Sequence, residues 1–239
     1  MNSYLQNPVY ERVITENLFL LKIPLEEAHR WVPKPFSVLE IGPGTAVLGI
    51  GLQKIADTSF CSSRDVDKIY IVYGIHARYD TGTASPRFAF YVHRMYASDS
   101  IFLDHIERIN HSPVYRGKGL RFAYDPEAIS LSAQDDDGMI LTLRSTHPNP
   151  VFRKYTVWNH AAVMRNGIPY LQATEWKGEA FEHQNSPEVG EVFQHPLFAG
   201  LPVRGLGSQA YHQLVMRPNG EATMALFQPV CQRGGTVRQ

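Results

Sequence analysis

The sequence predicts an α+β domain, mostly antiparallel strands with a few short helices. Three observations carry that expectation. Runs rich in β-branched and aromatic residues recur along the chain, as in 69–79 and 87–96. Turn chemistry separates them, including Gly42-Pro-Gly44 and Asn166-Gly167. Helical periodicity is confined to two stretches, 25–31 and 98–109. The 239 residues contain no fixed-period repeat and no Ser-, Gly- or Pro-rich linker, so 1–239 reads as one domain.

Residues 17–23 are apolar and extended, and Pro24 opens a short helix over 25–31 with Glu26 and Glu27 in its first turn. Val32-Pro-Lys-Pro35 stops it, because proline cannot continue a helix and disfavours helix in the residue before it. Strands at 36–41 and 45–53 flank Gly42-Pro-Gly44, and long strands follow at 69–79 and 87–96. Ser98 caps the second helix, where Ile101, Phe102, His105, Ile106 and Ile109 recur at helical spacing. Val114-Tyr-Arg-Gly-Lys-Gly119 reads as a loop. Strands at 128–132 and 139–145 meet at Asp135-Asp-Asp-Gly138, and strands at 156–164 and 170–181 at Asn166-Gly167. Runs at 206–216 and 222–228 close the chain around Pro218-Asn-Gly220.

Composition narrows the function classes. With 44% hydrophobic and 19% charged residues the chain can fill a core. Lys plus Arg equals Asp plus Glu at 23 each, which gives no electrostatic reason to expect nucleic acid or an anionic membrane as partner. A net charge of zero offers little repulsion between copies and favours a homo-oligomer. Cys61 and Cys231 lack zinc-ligand spacing and read as reduced thiols of a cytoplasmic protein. The first residues lack the basic start and apolar stretch of a signal peptide, and no apolar run approaches the ~20 residues needed to span a bilayer. The glycine motifs lack the lysine of a phosphate loop, the Asp135 run lacks the glutamate of a calcium loop, and no Gly-x-Ser-x-Gly occurs. Neither metal nor cofactor is expected.

Three regions resemble the acetoacetate decarboxylase superfamily, and together they are spread over most of the chain. Leu18 to Phe36 is similar to the family's strand, short helix and valine-proline-x-proline stop. His93 to Pro113 resembles the strand and helix that approach its active site. Leu201-Pro202-Val203-Arg204, with the strand through Met216, resembles its closing segment. The resemblance implies a strongly bent, β-barrel-like fold around an apolar pocket. In the family such a pocket lowers the pKa of a reactive lysine, which forms an imine with a ketone. That lysine follows a proline, and here Pro113 is followed by Val114. The family's assisting glutamate stands two residues after a strand tyrosine, and here Tyr70 is followed by Val72. The glutamate at the end of the helix becomes Arg108, after Glu107.

The matched positions define the candidate site. If Val72 faces the pocket, Tyr70, Gly74 and His76 share its face by strand alternation. His76 then reads as a general base or carbonyl donor, or as a histidine satisfied by backbone or water. On the next strand Tyr91 and His93 share one face, and Phe90, Val92 and Arg94 the other; the resemblance favours His93 as the pocket side. Tyr115 reads as a proton donor and Arg116 as an oxyanion or carboxylate clamp. Lys118 reads as a displaced amine or a solvated loop residue. Lys177, between Glu175 and Glu179, reads as another amine or an ordinary ion pair.

The expected function is a small-molecule enzyme for imine-free carbonyl or enol chemistry. It would cyclise, dehydrate or isomerise a keto or polyketide-type metabolite. A Schiff-base β-keto acid decarboxylase or aldolase using Lys118 or Lys177, and a non-catalytic binder of a small ligand, are the alternatives.

Overall fold

The computed structural model describes residues 9–58, 68–79, 87–97, 114–116, 118–125, 130–144, 151–186, 190–192, 210–216, 220–224 and 228–229. They form β1 (Val9–Pro24), α1 (Leu25–His29), β2 (Phe36–Val38), β3 (Thr45–Thr58), β4 (Lys68–Tyr79) and β5 (Arg87–Ala97). Then come β6 (Val114–Arg116), β7 (Arg121–Asp125), β8 (Ser130–Asp135), β9 (Gly138–Arg144), β10 (Arg153–Arg165) and β11 (Ile168–Ser186). The last are β12 (Gly190–Val192), β13 (Ala210–Met216), β14 (Gly220–Met224) and β15 (Gln228–Pro229). The expected helix at 98–109 lies outside the described residues. No helix among the described residues is long and apolar enough to cross a membrane.

Eleven strands make one sheet, and β7, β8, β9 and β12 make a second of four. In the large sheet β4 pairs with β3, β3 with β1, β1 with β13, β13 with β11, β11 with β10, β10 with β5, and β5 with β4 again. The succession of pairings returns to the strand where it began. Pairing is antiparallel except where β5 meets β10 and β6.

Local chemistry explains the joints. Asn166 and Gly167 both take positive φ, 50° and 76°, so the turn's twist matches that of β10 and β11. The Gly42-Pro-Gly44 turn closes through Thr45 N–H donating to the Gly42 carbonyl, and the Gly44 carbonyl accepts the first N–H of α1 from Leu25. That turn therefore caps a helix with no side-chain cap of its own. The helix stops at His29, two residues short of the expected end. Arg30 and Trp31 donate to Glu27 and Ala28, bonds to the third residue back, which tighten the last turn ahead of Pro33.

One correction concerns 114–116, expected as loop. Val114, Tyr115 and Arg116 form β6, parallel to Met95, Tyr96 and Ala97. The β-prone pair Val114-Tyr115 takes up the open edge of β5.

The core lies on one face of the large sheet. A single register row crosses six strands through Leu21, Leu48, Ile75, Tyr91, Ala162 and Leu171. All six are buried and belong to one cluster, joined by Ala28 of α1, Val32 of the segment after it and Phe36 of β2, and by Leu120, Ala133, Ile140 and Leu141 from the small sheet and its approach. Removing each large side chain from water contributes roughly 1.5–3 kcal/mol. This apolar seam fastens helix and small sheet to the strand that carries His76 on its other side.

Candidate functional site

The opposite face is built around two glycines. Gly49 of β3 pairs with Gly74 of β4. Phe90 of β5 lays its ring over both, and a Cβ on Gly74 would lie 2.6 Å from Phe90 Cε1 and collide with the Tyr91 carbonyl oxygen. A Cβ on Gly49 would meet only the side chains of Phe90 and Leu20 at close range. The absent Cβ atoms are what let the far edge of an aromatic ring come this close to the sheet. His76, two residues beyond Gly74, pairs with Phe90 and meets its ring edge-on, with centroids 5.9 Å apart. The same row continues through Ala161 to Gln172, and both Gln172 and Thr174 are buried.

Between Tyr73 and Gly74 the β4–β5 register shifts, because His93 is an extra residue between Val92 and Arg94. This bulge reverses the alternation beyond it. Arg94, expected beside Phe90 and Val92, is therefore on the core face: its guanidinium lies 5.8 Å from the Trp31 ring, while His93 meets that ring edge-on at 4.0 Å. Tyr91 also faces the core, with Phe36 at 5.4 Å between centroids. The structure thus places Tyr91 and His93 opposite His76.

Burial sets the protonation of these groups. Tyr91 is pushed up to about 12 by desolvation, so its phenol keeps its proton at neutral pH. His93 is lowered to about 4, first by burial and then by the charge of Arg94. Its Nε2 is buried without a hydrogen-bond partner among the described residues. Tyr96 donates its hydroxyl to Asp135 Oδ2 at 2.7 Å, and burial followed by that bond raises the phenol well above its ordinary range. Asp135 Oδ1 accepts the N–H groups of Asp137 and Gly138, so one carboxylate organises the β8–β9 turn.

Backbone register locates the remaining candidates. Val72 pairs with Met95, and Met95 pairs with Val114, which puts the three on one row across β4, β5 and β6. Tyr70 and Arg116 both pair with Ala97, and Tyr115 pairs with Tyr96. Lys118 is exposed, and its carbonyl accepts the N–H of Asp136. Lys177 is also exposed and forms an ion pair with Glu175 at 2.7 Å, as the flanking glutamates suggested. Glu107 and Arg108 lie outside the described residues. Among the described residues no group of three or more His, Cys, Asp or Glu is placed to hold a metal ion.

Sequence reasoning missed Gln172 and Thr174. Their signal is faint: two polar residues at alternate positions of 170–176 look like the solvent face of a strand, yet both are buried. It missed Phe90 as well, because a ring lying over glycines depends on cross-strand pairing.

No protein-family model matches the chain, and no curated protein matches it. Solved structures do. An acetoacetate decarboxylase from Legionella pneumophila subsp. pneumophila str. Philadelphia 1 superposes with a TM-score of 0.63 at 12% identity, over 97% of this chain and 90% of that one. A second acetoacetate decarboxylase gives 0.60 at 12% identity, over 96% and 92%. This is the acetoacetate decarboxylase-like fold. The enduracididine biosynthesis enzyme MppR, in complex with pyruvate, shares it with a TM-score of 0.55 at 10% identity, over 95% and 91%. At such identities the likeness is one of fold.

Proposed function

We propose that this chain is a small-molecule enzyme that performs carbonyl or enol chemistry without an imine: cyclisation, dehydration or isomerisation of a keto or polyketide-type metabolite. The observation that carries the reading is the row Val72, Met95, Val114. The resemblance assigns positions 72 and 114 to the carboxylate and amine of a decarboxylase, and strand pairing brings those two positions to either side of one residue. Neighbouring strands lie about 4.8 Å apart, so the two backbones are about 10 Å apart, close enough to serve one pocket. Both positions hold valine. Losing both is chemically coherent, since a buried carboxylate deprived of its cationic partner is costly.

The ring of pairings is read as a bent, barrel-like wall, with the face of Gly49, Gly74, Phe90 and His76 turned to the pocket. An apolar floor with a few donors can hold one reactive conformer and stabilise developing enolate charge. His76 serves as base or carbonyl donor, and Tyr115 and Arg116, on the strand beside the row, supply a proton and a clamp. MppR holds pyruvate, and a small keto acid is the class to test first. The Schiff-base alternative needs an amine sheltered from water, whereas Lys118 and Lys177 are exposed and Lys177 is ion-paired.

Borohydride reduction with acetoacetate, pyruvate and 3-oxohexanoate, followed by intact mass, tests the reading. No covalent adduct is expected. An adduct mapped to Lys118 or Lys177 would overturn it and restore the imine.

A further inference from the structure

The face that carries His76 also holds a side-chain nitrogen without a hydrogen-bond partner among the described residues. Along β11, Leu171 and Ala173 alternate with Gln172 and Thr174, and all four are buried. Leu171 belongs to the core cluster, so Gln172 and Thr174 occupy the opposite face. Pairing joins Gln172 to Ala161, Ala161 to Phe90 and Phe90 to His76, a row across four strands. The ring of Phe90 fixes which side this row faces, because it covers Gly49 and Gly74. Gln172 is only 4% exposed, and its Nε2 has no hydrogen-bond partner among the described residues.

A buried amide nitrogen without a partner gives up its bonds to water for nothing in return. Leucine or methionine would fill similar volume on an apolar wall without that cost. An orphan donor of this kind calls for an acceptor that the polypeptide does not supply.

We propose that Gln172 is a substrate-binding residue, its amide N–H donating to a carbonyl or carboxylate oxygen of a small keto acid whose apolar part lies against Phe90. The assignment rests on the carbonyl chemistry argued above and adds to it a specificity element. A donor at Gln172 selects a ligand that offers oxygen at that point, because an analogue lacking it would leave the amide orphaned again. With Gln172 as the anchor, His76 at the far end of the same row acts on the reacting carbon. Being neutral, the amide orients an anionic ligand without fixing its charge state.

The test is titration of the full-length protein with pyruvate, acetoacetate and 3-oxohexanoate, followed by ligand-observed NMR. It is run on wild type, Gln172→Met and Gln172→Glu, with a melting curve for each. Gln172→Met should melt at or above the wild-type temperature, since it removes an unsatisfied group at nearly constant volume. Its dissociation constant for the tightest keto acid should rise about ten-fold or more. Gln172→Glu should bind more weakly still, because an acceptor with negative charge then faces the anion. Equal binding by wild type and Gln172→Met would sink the Gln172 assignment and leave the carbonyl reading standing. A Gln172→Met melting temperature lower by more than about 5 °C would show that the amide serves the fold, and would also sink it. A wild type that binds none of the three acids would remove both readings together.

Discussion

On one face of the large sheet, the row through Leu21, Leu48, Ile75, Tyr91, Ala162 and Leu171 is apolar and buried at every step. On the other face the adjoining rows run Leu20, Gly49, Gly74, Val92 and His76, Phe90, Ala161, Gln172. The strands are the same, yet the second face gives up side-chain area at two central positions and buries the Gln172 amide nitrogen with no partner among the described residues. The first face converts every residue into contact. The second forgoes stability to leave a shaped surface, which is how sites commonly depart from the rules that govern cores.

That contrast can be broken by mutation. The largest effect is expected on the core face, where Ile75→Ala removes a side chain only 1% exposed. It should cost about 2–5 kcal/mol in denaturant unfolding; a cost below about 1 kcal/mol would mean the row is not a packed seam. On the other face Gly49→Ala should cost about 1–3 kcal/mol, because the new methyl drives into the ring of Phe90. Adding Phe90→Leu should return much of that loss. If the double variant shows only the sum of the two single effects, the ring does not rest on the glycine.

The smallest effect sharpens the comparison through pH. His93, on the core face, is lowered to about 4 from an ordinary 6.5, so the folded state favours the neutral ring. Its contribution is complete above pH 6.5 and is lost as pH falls from 6.5 towards 4, where the unfolded chain takes up the proton first. Because the residue is only half-buried, the loss is on the order of 1 kcal/mol. His93→Phe should therefore flatten the melting temperature between pH 7 and 4.5. An unchanged slope would show that the imidazole beside Trp31 is well solvated.

Much of this arrangement was legible in the residues. Alternation and turn chemistry located β4, β5, β10 and β11, and Asn166-Gly167 fixed the register of the last pair. Strand length was not legible. Residues 9–16 mix polar and apolar side chains without clean alternation, and they extend β1 because β3 and β14 offer hydrogen-bonding partners along that stretch. Short strands such as β6 and β12 owe their existence to a neighbour's open edge, which no local pattern records. Within the site, His76 and its alternation with Gly74 were readable, but the bulge at His93 was not. One inserted residue reverses which side chains share a face, and nothing in Tyr91 to Met95 announces it. Gln172 was invisible for another reason: burial of a polar strand residue depends on what covers it.

The bond between Tyr96 and Asp135 bears on how the chain comes together in time. Its partners are 39 residues apart in sequence. Tyr96 pairs with Tyr115 of β6, and the turn beyond Asp135 holds the Lys118 carbonyl through Asp136. The short strand that carries Tyr115 is thus flanked on both sides by groups tied to the small sheet. Three backbone pairs reward that closure only weakly, and the entropy of closing the loop is spent before they form. The β8–β9 hairpin closes through a two-residue turn, so it can form locally and present its carboxylate to Tyr96, which makes the position of this edge of the sheet depend on a hairpin 39 residues further along the chain.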